Sequence, residues 1–142
     1  MIQNLKKMKR KIALVVVVLI VSLVKSYGQE FYSDGSMVVK KISTSTKYGY
    51  KATKKHSIKV GKIENQRAYL NSLTGPNGEA IEYIRLGSCC AFKSKKAAFG
   101  EGLLDKYEIT YLGLKTPIII YLNGYDYEEP ECPKGLAIKT RE

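Results

Sequence analysis

"KYEITYLGLKTPIIIYL", Lys106 to Leu122, is the stretch on which the fold turns. Tyr107, Ile109 and Tyr111 share one face of an extended segment while Glu108 and Thr110 share the other, the period-two pattern of a half-buried strand. "LGLKT" supplies a short connection. Pro117 then opens a second strand, where its missing N–H costs little. Ile118, Ile119 and Ile120 follow without alternation, as in a strand covered on both faces. Two strands this close in sequence form an antiparallel hairpin, and Asn123-Gly124 reads as a bulge or strand exit.

Working back towards the N-terminus, "AIEYIRLG" predicts another strand, with Ile81, Tyr83 and Arg85 on one face and Glu82, Ile84 and Leu86 on the other. Before it, "ENQRAYLNSLTGP" predicts the main helix. Ala68, Tyr69, Leu70 and Leu73 form its apolar face, Asn65, Gln66 and Asn71 are polar, and Gly75-Pro76 stops it. Short extended pieces are predicted at Met37 to Ile42 and at Ser57 to Gly61, with a polar loop between them. Strands plus one helix, without a regular strand-helix alternation, define an α+β domain in which the helix packs on a largely antiparallel sheet.

The first 28 residues are unlike the rest. Lys6, Lys7, Lys9, Arg10 and Lys11 precede an apolar run from Ile12 to Val21 that extends through Leu23 and Val24, and small residues stand at Ser26 and Gly28. That is the pattern of a signal peptide cut between Gly28 and Gln29, leaving residues 29–142 as one exported domain. The apolar run falls short of the roughly 20 residues a membrane span needs, so no integral span is expected after cleavage. Removing the six basic residues of this segment from the chain's 24 leaves 18 Lys and Arg against 13 Asp and Glu, a net charge of +5 in place of +11. Those cations are scattered as pairs such as Lys40-Lys41, Lys54-Lys55 and Lys95-Lys96. A nucleic-acid partner would require a contiguous basic stripe, and none is visible. Attraction to an acidic cell-surface polymer fits the charge.

The chain has three cysteines, Cys89, Cys90 and Cys132, and an oxidising compartment favours pairing. Adjacent Cα atoms lie about 3.8 Å apart, below the usual disulfide range. A bridge from Cys90 or Cys89 to Cys132 would close a loop of about 43 residues, valued near 4 kcal/mol by chain entropy. Stability favours that long bridge, with a vicinal pair and reduced thiols as the other readings. His56, the only histidine, would be needed for a Cys-His dyad but sits in the polar "KKHSIK". The cysteines also lack the paired spacing of a zinc site.

Asp126, Glu128, Glu129 and Glu131 crowd the run "YDYEEPECP" without the spacing of a calcium loop, and a solvated strand end is the simpler reading. Nothing singles out an acid-base pair among Glu82, Glu101, Asp105 and Glu108. Tyr107, Tyr111, Tyr121, Tyr125 and Tyr127 cluster in and after the hairpin, and tyrosines with a common orientation would make a binding platform. No residue is assigned a catalytic role, and no cofactor or metal is expected.

"RAYLNSLTGPNGE", "YIRLGSCCAF" and "GLLDKYEITYLGLKTPIIIYLNGYDYEEP" together resemble a group of small exported proteins of Gram-negative bacteria without established activity, over roughly Tyr48 to Gly135. The resemblance implies that the adjacent cysteines belong to the group's pattern and that Cys132 is less characteristic of it. Members look like proteins labelled 2-dehydro-3-deoxyphosphooctonate aldolase. Enzymes acting on that sugar phosphate are similar to TIM barrels of about 250 residues, more than twice the expected mature length, and no residue here matches a catalytic base, Schiff-base lysine or metal ligand of theirs. The expectation is therefore a non-catalytic binding or structural module, periplasmic or associated with the outer membrane, whose partner is an envelope component. A small enzyme, bearing that label or using the thiols of Cys89 and Cys90, is the alternative.

Overall fold

The computed structural model describes residues 2–22 and 28–141. The expected hairpin is present at its centre as β4 (Glu101–Tyr111) and β5 (Ile118–Asn123), paired antiparallel with Tyr107 opposite Ile120 and Ile109 opposite Ile118. Two further strands complete the sheet: β3 (Ile81–Lys93) lies antiparallel on the other side of β4, and the two-residue β1 (Ile58–Lys59) runs parallel to β5. The strand order is β1-β5-β4-β3. A second, two-stranded antiparallel sheet joins β2 (Leu73–Thr74) to β6 (Ala137–Ile138).

Cross-strand partners point to the same face, so the register sorts the side chains. Ile58, Ile109, Ile120 and Leu122 share one face with Tyr107 and are fully or almost fully buried there. The opposite face carries Lys106, Glu108 and Tyr121, none of them fully buried. An antiparallel sheet with one covered face and one wetter face is the arrangement that such alternation encodes. Ile118 and Ile119 are only partly buried, so the expectation of cover on both faces holds for neither of them; burial alternates only from Ile119 to Leu122.

The covering layer is α2 (Asn65–Leu70) with the chain around Met37 and Val39. The helix is shorter than the apolar periodicity predicts: Asn71 N–H donates to the Arg67 carbonyl and Ser72 N–H to the Tyr69 carbonyl, which closes the last turn, and Leu73 is drawn into β2. Met37 to Ile42, predicted as a strand, instead makes isolated bridges, Met37 to Phe31 and Ile42 to Cys132.

β3 is longer than the sequence suggests. It continues past Gly87 to Lys93, but Leu86 and Cys90 have no partner in β4, and each marks a bulge. Gly87 has φ 128° and Cys90 φ 59°, conformations outside the ordinary strand range. The two irregularities reset the alternation, which conceals the strand from a period-two reading.

The basic segment Lys6 to Lys11 belongs to helix α1 (Ile2–Ser22) and is exposed. Leu23 to Ser26, the end of the expected export signal, lie outside the described residues. No helix among the described residues is long and apolar enough to cross a membrane.

Candidate functional site: two hollows meeting at Ile63

A polar cluster interrupts the covered face of the sheet where α2 crosses it. Asp105 sits on that face, one step along β4 from Tyr107, and its carboxylate is almost completely buried. Gln66 donates to Asp105 Oδ2 at 2.6 Å, while Ser88 and Arg85 Nη2 each donate to Oδ1 at 2.7 Å. The Tyr107 hydroxyl donates to Gln66 Oε1 at 2.9 Å. Burial pushes the Asp105 pKa up, but the hydrogen bonds from Gln66, Ser88 and Arg85 and the guanidinium charge together outweigh it and hold the carboxyl below the usual aspartate range. Asp105 is thus a fixed anion. Gln66, read in the sequence only as a polar helix position, is spent on this buried bonding.

Beside the cluster opens a hollow of about 350 Å³ between α2 and β3, lined by Arg67, Tyr83 and Arg85 together with Ile63 and Glu64. The Tyr83 hydroxyl is held by Asn71 Oδ1 at 2.8 Å, and its ring meets that of Tyr107 edge-on. Arg85 is half exposed, and only its Nη2 is engaged among the described residues.

Ile63 and Glu64 also line a second hollow, of about 530 Å³, whose other walls include Lys62, Lys96, Tyr125 and Tyr127. Tyr125 is braced by an edge-on contact with Phe92. The junction depends on Gly124: a Cβ there would stand 2.9 Å from Ile63 Cγ1 and 3.1 Å from Ile63 N and Cα, so only glycine lets the two backbones approach. No ion pair among the described residues involves Lys62, Lys96 or Arg67.

The five hairpin tyrosines do not share one surface. Tyr125 and Tyr127 meet at the larger hollow, Tyr107 floors the smaller one, Tyr111 packs against the core, and Tyr121 points to the opposite sheet face. Sequence did not single out Arg67 or Lys62, and it read Tyr83 only as a strand residue and Lys96 only as half of a scattered basic pair. The shared face of Tyr83 and Arg85 was a usable signal; the turn that carries Lys62 and Ile63 to the same place was not visible.

The cysteines correct the long-bridge expectation. Cys89 and Cys90 are disulfide-bonded to each other, with Cα atoms 3.7 Å apart. Cys132 is a free thiol, wholly buried in the hydrophobic core beside the chain at Ile42, and burial pushes its pKa up to about 12. A core position offers Cys132 apolar packing and no exposed partner, whereas β3 is an edge strand that leaves Cys90 exposed. His56 Nδ1 lies 3.0 Å from Thr53 Oγ1, and no cysteine is among its hydrogen-bond partners.

The acidic run resolves into separate ion pairs. Glu128 meets Lys59 at 2.5 Å, Glu129 meets Lys40 at 3.2 Å, Glu131 meets Lys41 at 2.7 Å, and Asp126 meets Lys54 at 3.5 Å. Four carboxylates facing four different ammonium groups do not converge on one point, and no group of potential metal ligands does so among the described residues. No protein-family model, curated protein or solved structure matches the chain.

Proposed function

We propose that this chain is exported to the cell envelope, periplasmic or associated with the outer membrane, and acts there as a non-catalytic binding module whose ligand surface is the pair of hollows meeting at Ile63. The observation that carries the reading is the state of the reactive groups. Asp105, the carboxylate beneath the smaller hollow, is saturated by three donors and stays ionised, so it is poorly placed to exchange a proton at neutral pH. Cys89 and Cys90 are spent on each other, and Cys132 is buried. Among the described residues, neither hollow is lined by a cysteine, serine, threonine or histidine, and the cationic and aromatic surface they offer to solvent suits binding and orienting a ligand. The signal-like pattern of residues 1–28 and the scarcity of reduced, accessible thiols agree with an oxidising compartment.

The test is fractionation of cells making the full chain, with the N-terminus of the recovered protein determined and its retention on washed envelope material measured. A chain beginning at Gln29 and retained on the envelope is the expected result. Thiol labelling of the folded protein is expected to modify no cysteine until reductant or denaturant is added. Recovery from the cytoplasm with reactive thiols, or turnover of 2-dehydro-3-deoxyphosphooctonate, would favour the enzyme instead.

A further inference from the structure

We infer that the two hollows are adjoining subsites for an acidic polysaccharide, with sugar units seated against Tyr125 and Tyr127 on one side of Ile63 and against Tyr83 on the other. The inference rests on the proposed binding role and names its ligand class.

Charge comes first. Lys62, Lys96, Arg67 and Arg85 line the two hollows, against the carboxylates of Glu64 and the underlying Asp105, a surplus of two positive charges. Asp105 does more than offset Arg85. It grips Nη2 from below, with Ser88 also bonded to that nitrogen, and leaves the remaining N–H groups of the guanidinium for an incoming anion. A planar fork held in this way suits a carboxylate or phosphate, which accepts two parallel hydrogen bonds. Lys62, Lys96 and Arg67 have no carboxylate partner among the described residues, so a ligand anion need not displace one.

Shape and surface chemistry narrow the ligand further. Both hollows fall in the roughly 300–1,000 Å³ range of small-molecule sites, at about 530 and 350 Å³, and neither is enclosed. Two open hollows side by side suit successive units of a chain better than one engulfed molecule. Tyrosine rings present an apolar face for the C–H face of a pyranose together with a polar tip, and Ile63, 54% exposed, supplies an apolar ridge between the two seats. A nucleic acid would instead track a continuous basic stripe, whereas the four cations lining this surface are divided between two hollows. The shared ligand chemistry is a sugar chain bearing regular anionic groups, whether uronate carboxylates or phosphodiesters.

The protein recovered from the cells that make it is titrated at low salt with polygalacturonate and with phosphomannan, and in parallel with neutral dextran, polyglutamate and single-stranded DNA. Binding to at least one of the two acidic glycans, well above dextran and polyglutamate, is expected, and the tighter of the two identifies the anion. Lys62→Glu with Lys96→Glu, and separately Arg67→Glu, should each weaken that binding by about tenfold or more, with an unchanged melting temperature, and added salt should weaken the wild type. Equal affinity for polyglutamate, preference for DNA, or indifference to either set of charge reversals would overturn the inference. Retention on envelope material without binding to either acidic glycan would overturn it while leaving the binding role intact; loss of both would remove the binding role as well.

Discussion

The two hollows on either side of Ile63 are made of similar residues used in opposite ways. Beneath the smaller one, Asp105, Gln66, Tyr107, Ser88 and Arg85 bond to one another, and their polarity goes into fastening α2 to the sheet. Around the larger one, Lys62 and Lys96 carry charge that no protein carboxylate neutralises among the described residues, and two backbones are brought together by Gly124. The first region is where the fold stores polar stability. The second is where it leaves electrostatic attraction unspent. A residue's type therefore says little about its role here until its hydrogen-bond partners are known, since Arg85 and Lys96 are both cations at the rim of a hollow.

On that division, disturbing the bonded cluster beneath the smaller hollow should damage stability, and stripping unpaired charge from the hollows should not. Asp105→Ala leaves Gln66 and Arg85 without their acceptor and is expected to lower unfolding free energy by about 3 kcal/mol in urea titration. Gly124→Ala should cost about 2 kcal/mol, because the added Cβ meets the Ile63 backbone and one of the two segments must shift. Acid sharpens the contrast. The folded pKa of Asp105 lies below its ordinary value of 3.8, so the stabilisation from its ionisation is complete above that value and is lost as pH falls from there through the lower folded pKa. In that window wild type should lose stability more steeply than Asp105→Asn, and parallel acid curves would contradict the role given to the cluster. At the small end, Lys62→Ala combined with Lys96→Ala should shift stability by less than about 0.5 kcal/mol, as for surface positions without partners.

The hairpin was the most legible part of the fold, since Tyr107, Ile109 and Tyr111 alternate cleanly and Pro117 marks the next strand. β3 was legible only as far as its first bulge. Beyond Leu86 the alternation shifts, and after Cys90 it shifts again, so a continuous strand reads as a strand followed by a loop. β1 pairs in parallel with a strand some sixty positions away, a contact that local pattern does not encode. The cysteine pairing turned on a comparable non-local fact: loop entropy favours the long bridge only if Cys132 can reach β3, and it lies in the core instead. At the candidate site, the Tyr83 and Arg85 face could be read from periodicity, as could the concentration of tyrosines after the hairpin. The meeting of Lys62, Ile63 and Lys96 could not, because it arises from turns on two separate segments.

The most direct measurement of the central claim is an amide NMR titration of the labelled protein with a short galacturonate oligomer. Ligand-induced shifts should cluster at Gly61 to Arg67, at Tyr83 to Arg85, at Lys96 and at Gly124 to Tyr127, and both hollows should saturate along one binding curve. Shifts centred on the edge of β3 at Cys89 and Cys90, or confined to one hollow, would contradict a single ligand surface spanning Ile63.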